Sequence, residues 1–468
     1  KENEKIRENY ILKDLLFLRD DVDDVISRME HPDIVGFSNY IWNTNYNRSL
    51  ARAIKSRWPD TLIIFGGPEV PDNVETFFEK NPFIDIGVHQ EAEHTFLTIL
   101  LKKLESRLDL TDIPGISFVH PRNGVIKNPS VGRIKELEEL PSPYLSGVFD
   151  DLLANHDSQW SATYETNRGC PYKCHFCDWG SATFTKVRKF STERAKRELE
   201  WIADHKIEYV FFADANFGIF KSRDSEITNK LIQVVKSTGY PRTINIQWAK
   251  NSNKDIVELA SRVGFIQKGI TLSVQSMSEN VLSAIERRNM AVSNLSDILS
   301  ECNKASIPSY TELILGLPLE TFSSWKEGWH KLFDLGQHCS IEVWLAQTLE
   351  NSLLNDPEER AKYGIKTINA KGYFFGISES ADPIETKIPE EIALITETST
   401  LPFEDLIESY MFSWMMTNFH CFGWTQLISR FLRIQNDFSY KCFYEALFDF
   451  IRNQNESKLI FDQYNITK

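Results

Sequence analysis

Asn167-Arg168-Gly169-Cys170-Pro171-Tyr172-Lys173-Cys174-His175-Phe176-Cys177-Asp178-Trp179-Gly180 carries three cysteines at C-x3-C-x2-C spacing. The Gly-Cys-Pro opening and the interleaved aromatics make this one compact loop, in which three thiolates are expected to converge on a single soft-metal centre. No fourth cysteine lies nearby. Iron–sulfur clusters ordinarily take four thiolates, and structural zinc closes a tetrahedral shell of four. Three ligands therefore leave one corner open. The alternative is a zinc knuckle completed by His175 or by a remote residue.

Downstream of the loop, β-like runs alternate with helical ones. The strands are expected at Ser161 to Glu165, Tyr209 to Ala213, Thr243 to Trp248, Gly269 to Val274, Tyr310 to Leu315 and Ile341 to Ala346. Between them lie helical stretches at Thr192 to His205, Ser225 to Ser237, Asn253 to Val263, Glu279 to Arg288 with Val292 to Ala305, and Ser323 to Leu335. That alternation predicts a parallel sheet with right-handed crossovers. The strand ends are polar in a way a pure core would not need: Asp214-Ala215-Asn216, Gln247-Trp248-Ala249-Lys250-Asn251, Ser273-Val274-Gln275-Ser276 with Arg287-Arg288-Asn289 further on, and Glu312 to Gly316. Taken singly, Asp214 and Glu312 read equally as solvated strand ends, and Arg287 as a helix-surface residue.

Upstream, Lys5 to Met29 reads as one or two amphipathic helices. Asp33 to Ser38, a helix from Asn47 to Trp58, and Thr61 to Phe65 followed by Gly66-Gly67-Pro68 form a βαβ unit of a doubly wound, Rossmann-like sheet. A further strand, Ile84 to Val88, leads into Gln90-Glu91-Ala92-Glu93 and a helix from His94 to Leu104. Ligands in such sheets bind outside the carboxyl ends of the strands, here Ser38 to Asn43 and Gly66 to Val70. On these residues alone, a flavodoxin-like domain with another ligand, or none, is the alternative.

The 468 residues carry 52 basic and 66 acidic side chains, a net charge of −14, which argues against a nucleic-acid surface. There is no run of 18 apolar residues and no signal-peptide pattern at the start, so the expectation is a soluble, cytoplasmic protein with no membrane or nucleic-acid partner. The sequence starts at Lys1 without methionine, and an N-terminal segment is expected upstream. Four further cysteines, Cys302, Cys339, Cys421 and Cys442, read as buried free thiols. The organisation expected is a first domain over residues 1–110, a proline-marked connecting segment over 111–154, a core over 155–350 and a C-terminal, mostly helical region over 351–468. In that last region Tyr410, Phe412, Trp414, Phe419, His420, Phe422 and Trp424 suggest a helical cap, with a lining for a substrate pocket as the sharper reading. His420 is expected to be hydrogen-bonded within the cap.

The cysteine loop closely resembles the signature of radical S-adenosylmethionine (radical SAM) enzymes, in which a [4Fe–4S] cluster binds the amino and carboxylate groups of SAM. Pro32-Asp33-Ile34-Val35-Gly36-Phe37-Ser38, Gly66-Gly67-Pro68, and Gln90-Glu91-Ala92-Glu93, where the family usually has Gly-Glu-Gly-Glu, resemble the cobalamin-binding domain that precedes the core in the class B methyltransferase-like branch. The resemblance implies a partial (β/α)6 barrel and three cofactors, a [4Fe–4S] cluster, SAM and cobalamin. It implies Cys170, Cys174 and Cys177 as metal ligands, and SAM contacts at Phe176, Asp214, Ala215, Asn216, Gln247, Gln275, Arg287, Glu312 and Gly316. It implies cobalamin contacts at Ser38, Tyr40, Trp42, Gly66, Gly67, Pro68, Glu69, Gln90 and Glu91, with Trp42 toward the lower axial side. No Asp-x-His-x-x-Gly occurs, so no histidine ligand to cobalt is expected. The activity implied is C-methylation of an unactivated carbon through a 5′-deoxyadenosyl radical, the substrate being a peptide or a small metabolite and the electron donor a flavodoxin or ferredoxin. A non-methylating rearrangement, cyclisation or epimerisation is the other reading.

Overall fold

A computed structural model describes residues 3–13, 15–105, 108–155, 158–179, 185–249, 254–267, 269–372 and 387–453. Gly180, Lys250, Asn251 and Asn253, which the sequence reading placed in the cysteine loop, the third strand end and the following helix, lie outside the described residues. Two short helices, α1 (Glu4–Asn9) and α2 (Val22–Arg28), lead into β1 (Ile34–Ser38), α3 (Thr44–Arg57), β2 (Leu62–Gly66), α4 (Glu75–Lys80), β3 (Ile86–Val88) and α5 (Glu93–Lys103). β1 pairs with β2 and β2 with β3 in parallel, as the βαβ pattern predicts. Helix α3 turns Tyr46, Leu50, Ala51 and Ile54 inward, a stripe at helical spacing, and they pack with Ile63 and Phe65 of β2. Burying Leu50 and Ile54 in this way stabilises by ~1.5–3 kcal/mol each.

The antiparallel strands β4 (Ile116–His120) and β5 (Gly124–Lys127) continue the same sheet in the order β1-β2-β3-β4-β5. Part of the expected connecting segment therefore extends the first sheet past residue 110. Ile116 and Phe118 bury with Ile64 and Ile86, a contact between distant segments that local turn signals do not reveal.

After α6 (Asp150–Asn155) come β6 (Ser161–Tyr164), the short hairpin β7 (Asn167–Arg168) and β8 (Arg188–Lys189), α7 (Thr192–Asp204), β9 (Tyr209–Phe217), α8 (Lys221–Thr238), β10 (Thr243–Trp248) and α9 (Lys254–Val263). Next are β11 (Ile270–Gln275), α10 (Glu279–Ala284), α11 (Val292–Lys304), β12 (Ser309–Leu315), α12 (Phe322–Asp334) and β13 (Ser340–Leu345). The six main strands pair in parallel as two three-stranded sheets, β10-β9-β6 and β11-β12-β13. Ser191 opens α7 by accepting a hydrogen bond from the Arg194 amide at 3.2 Å, an N-cap. From that helix Ala195, Leu199 and Ile202 bury against Val210 and Phe212 of β9.

The C-terminal region is not wholly helical. α13 (Pro357–Tyr363) precedes an antiparallel pair, β14 (Lys366–Gly372) and β15 (Glu390–Glu397), and then come α14 (Phe403–Met416), a π-helical turn (Thr417–Cys421), α15 (Gln426–Asn436) and α16 (Tyr440–Asn453). β14 is largely polar and exposed and carries no apolar alternation by which a strand could be recognised. Helix α14 caps the barrel: Phe412 and Met415 pack with Trp325 and Trp329 of α12, and the Trp325 indole donates to Ser413 Oγ at 2.8 Å. Phe422 and Trp424 are exposed instead. Among the other cysteines Cys302 is buried and Cys421 half-buried, but Cys339 and Cys442 are exposed, which corrects the expectation of four buried thiols; Cys339 lies in the loop before β13, and Cys442 stands off the Tyr440, Tyr444 and Phe448 stripe that α16 turns inward.

His420 is buried in the cap as expected. Its Nε2 meets His338 Nδ1 at 3.0 Å and its Nδ1 meets the Tyr444 hydroxyl at 2.7 Å, while its ring stacks on Phe333 at 3.7 Å. Burial pushes the His338 pKa down to about 4 and that of His420 to about 3. Both rings are thus neutral in the folded protein, whereas the unfolded chain takes up their protons below its ordinary histidine pKa. Stability is fully present above that value and is lost as pH falls toward 4, at ~1.4 kcal/mol per pH unit for each proton taken up. His89, held down to about 4 by burial, adds a similar slope from the first sheet. The melting temperature is therefore expected to fall between pH 7 and 5, and to fall less steeply in His420→Gln; equal slopes would contradict the assignment.

Candidate functional site

The cysteine loop leaves β7 and returns through β8. Cys170 and Cys174 are buried, Cys177 is half-buried, and none of the three is in a disulfide. The Thr185 amide donates to the Cys170 carbonyl at 2.8 Å and the Cys177 amide to the Cys174 carbonyl at 3.1 Å. Among the described residues, no three His, Cys, Asp or Glu side chains gather closely enough to hold one ion. In a [4Fe–4S] cluster each thiolate takes a different iron, so the three sulfurs need not meet at one ion. His175 does not complete a zinc shell: its ring lies between Glu286 at 3.3 Å and Glu359 at 3.4 Å. Two donors approach the sulfurs, Asn216 Nδ2 at 3.4 Å from Cys170 Sγ and Arg287 at 3.8 Å from Cys174 Sγ.

Asp214 is fully buried. The two-residue alternation of a strand puts it on the helix-facing side of β9 with Phe212, while Ala213 and Ala215 are half-exposed on the other. Its Oδ1 accepts the amides of Thr166 at 2.7 Å and Asn167 at 2.9 Å, and its Oδ2 accepts the Thr166 hydroxyl. Burial pushes its pKa up to about 7, against the pull of those hydrogen bonds and of Arg223. The carboxylate thus anchors the strand that enters the cysteine loop, and the side chain this segment turns toward the sulfurs is that of Asn216.

The remaining core residues collect along β10, β11 and β12. Gln275 ends β11 in a left-handed backbone conformation, φ 65°, where the β11–β12 register shifts; such strained, bulged ends concentrate at functional sites. Arg287 is buried and donates to the Ser273 carbonyl and, at 3.0 Å, to Asn289 Oδ1. Ser273 Oγ donates to Glu312, whose pKa is raised by burial and by Glu342 and eased by Ser273 and Arg287. Gln247 donates to Asn245 Oδ1 at 3.1 Å. Phe176 packs with Ile314 and Leu317, which flank Gly316.

On the first sheet, Tyr40 and Trp42 stack at 4.4 Å, 10° from parallel, just beyond exposed Ser38. Gly66 accepts the Asn39 amide at 2.7 Å. Gly67 has φ 97°, and a Cβ there would stand 2.4 Å from the Asn39 carbonyl oxygen, so only glycine fits this turn. Asn351, far along the chain, donates to the carbonyls of Pro68 at 2.8 Å and Val70 at 3.0 Å. Burial and Glu350 push the Glu69 pKa up to about 7, and Asp178 of the cysteine loop adds to the shift. Asn351 thus ties the glycine turn of the first sheet to the segment that follows β13.

Gln90 and Glu91 are placed differently from what cofactor contact alone would suggest. Gln90 sits at φ 61°, a conformation suited to the glycine usual in the resembled family, and accepts from Ser130 Oγ at 3.0 Å. Glu91 pairs with Arg188 at 2.5 and 2.9 Å and accepts the Ile134 amide at 2.7 Å. Arg168 binds Glu93 at 2.7 Å and Glu165 at 2.9 Å. Sequence reasoning missed Arg188 and Glu390, the latter accepting the Asn45 and Tyr46 amides at the start of α3 at 2.8 and 3.1 Å. No local pattern marks either.

Residues 164–327 match the Radical SAM superfamily and residues 8–100 the B12 binding domain. Over 463 residues, 98% of this chain and 67% of the relative, the sequence is 36% identical to the cobalamin-dependent radical SAM methyltransferase TokK of Streptomyces tokunonensis. It is also 36% identical, over 95% of this chain and 65% of the relative, to the 2-(S-pantetheinyl)-carbapenam-3-carboxylate methyltransferase of Streptantibioticus cattleyicolor. The chain thus spans about two thirds of the length of these relatives. Among solved structures it shares the fold of the radical SAM methyltransferase TsrM from Kitasatospora setae (TM-score 0.63, 15% identity, 84% of this chain and 80% of that one). It likewise shares that of the cobalamin-dependent SAM radical enzyme OxsB (TM-score 0.56, 18% identity, 85% and 61%). With both domains in series and 36% identity along nearly its whole length, the protein belongs to the cobalamin-dependent radical SAM methyltransferase family, whose cofactors are a [4Fe–4S] cluster, SAM and cobalamin.

Proposed function

We propose that the protein methylates an unactivated carbon of a small β-lactam-class metabolite, with an external flavodoxin- or ferredoxin-type protein as reductant. The observation that carries the reading is the three-cysteine loop, with Asn216 and Arg287 beside two of the sulfurs, downstream of a segment that matches the B12 binding domain, in a chain 36% identical to a carbapenam methyltransferase. When bound, the cluster supplies the electron that cleaves SAM, and cobalamin supplies the methyl group. Cys170, Cys174 and Cys177 would hold the cluster. Arg287 and Asn216 would steady its sulfurs, Phe176 and the backbone at Gly316 would receive the adenine, and Gln275 and Glu312 the rest of SAM. Tyr40, Trp42 and the Gly66–Glu69 turn would receive the corrinoid. No described helix is long and apolar enough to cross a membrane.

The test is anaerobic reconstitution with iron, sulfide and hydroxocobalamin, followed by mass spectrometry of the SAM products with a carbapenam thioether as substrate. Both 5′-deoxyadenosine and S-adenosylhomocysteine are expected, with a methylated product. Deoxyadenosine alone would overturn methyl transfer in favour of a rearrangement or cyclisation. Methylation of a peptide but not of the carbapenam would overturn the substrate class.

A further inference from the structure

The hairpin that delivers the cysteine loop carries an arginine on each strand, and Arg168 of β7 pairs directly with Arg188 of β8. Like charges facing each other across an antiparallel pair destabilise it. Neither strand supplies the counter-charge. Glu165, just before β7, holds Arg168 at 2.9 Å, and the rest comes from the segment after β3: Glu91 grips Arg188 at 2.5 and 2.9 Å and stands 3.8 Å from Arg168, while Glu93 binds Arg168 at 2.7 Å. The Glu91 and Arg188 side chains are only 6% and 10% exposed, so solvent screens their attraction little. The Ile134 amide also donates to Glu91, and Arg188 donates to the Ile134 carbonyl. One carboxylate thus ties together the end of β3, the strand leading into the cysteines and the strand leaving them.

We propose that Glu91, with Glu93, is a positioning latch: it fixes the cysteine hairpin against the first sheet and so sets the separation between the cluster held by the loop and the corrinoid held by that sheet. This inference rests on the proposed methyl transfer and assigns Glu91 to the hairpin rather than to the corrinoid. Methyl transfer needs both partners at one substrate carbon, and a misplacement of about 1 Å can cost ~100-fold in rate. SAM cleavage needs only the loop and the barrel. Loosening the latch therefore separates the two outcomes.

The experiment is Glu91→Gln in the reconstituted enzyme, with iron and cobalamin content, deoxyadenosine, methylated product and backbone hydrogen exchange all measured. The expected result is wild-type iron and cobalamin content, deoxyadenosine close to wild type, methylated product reduced between about 10- and 100-fold, and faster exchange at the Ile134 amide and in β7 and β8. Cobalamin content falling with the product would overturn the latch in favour of direct corrinoid contact, and an unchanged product ratio would overturn it outright. Should Glu91→Gln fail to fold, Glu93→Gln, on the more exposed flank, is expected to shift the ratio and the exchange in the same direction by less; no shift there would also overturn the latch. If the wild type makes deoxyadenosine but no methylated product, methyl transfer is the part that fails, and exchange in the hairpin still decides the latch.

Discussion

Cys174→Ala is expected to yield a folded protein that retains cobalamin, loses its iron and forms no detectable 5′-deoxyadenosine. Cys174 is buried, its backbone carbonyl accepts the Cys177 amide, and its sulfur lies 3.8 Å from Arg287. A buried cysteine behaves as a small apolar side chain, so its replacement by alanine costs the apoprotein only ~1 kcal/mol. With the sulfur gone, the site drops to two protein ligands and the Arg287 guanidinium faces no thiolate. Iron and sulfide per chain, read beside the deoxyadenosine yield, check this. Retained iron with undiminished SAM cleavage would refute the assignment of the loop, and loss of cobalamin as well would mean that the two cofactors depend on one another for binding.

Asp214→Ala is expected to be the most damaging single change away from the sulfurs. It strips the acceptor from the amides of Thr166 and Asn167, both buried, at ~1–3 kcal/mol for each donor left unsatisfied. The entry to the cysteine loop should then loosen, and iron should be retained poorly even in chains that fold. Asp214→Asn keeps an acceptor oxygen and should be much milder. The pH dependence separates the two roles. Burial raises the folded pKa of Asp214 to about 7 from its ordinary carboxyl value of 3.8, so the folded state binds this proton more tightly than the unfolded chain. The contribution is present at low pH and is lost as pH rises through that interval, a slope absent from the Asn variant. Denaturant melts at several pH values check both statements; an Asp214→Ala protein with wild-type stability and iron would refute them.

What the sequence made legible was local. The strand–helix alternation from Ser161 to Ala346 shows in apolar periodicity, and the three cysteines need only their spacing to be recognised. Residue type also foretold that the ends of the barrel strands would be polar. What it could not show was burial and partnership. Asp214 reads as a carboxylate at a strand end, and only the folded backbone reveals that its oxygens are taken by Thr166 and Asn167. Glu91 sits in a segment that resembles a cofactor loop, yet Arg188, its counter-ion, is 97 residues away. The β4–β5 hairpin looked like a linker because its apolar runs are short and are separated by charged turns, with prolines on either side. Ion pairs and sheet edges that join distant segments leave no periodic trace in either segment.

Glu390 closes the start of α3 by accepting the amides of Asn45 and Tyr46, and its side chain also meets Arg19 at 3.2 Å. The donor and acceptor of the first of these bonds are 345 residues apart. On a ribosome adding 5–20 residues each second, that gap takes roughly 20–70 s to synthesise. Through this interval the nascent amino-terminal module exposes an uncapped helix end and an unmatched arginine. The start of α3 therefore reaches its native capping only once β15 has been made, however early its own sheet pairs.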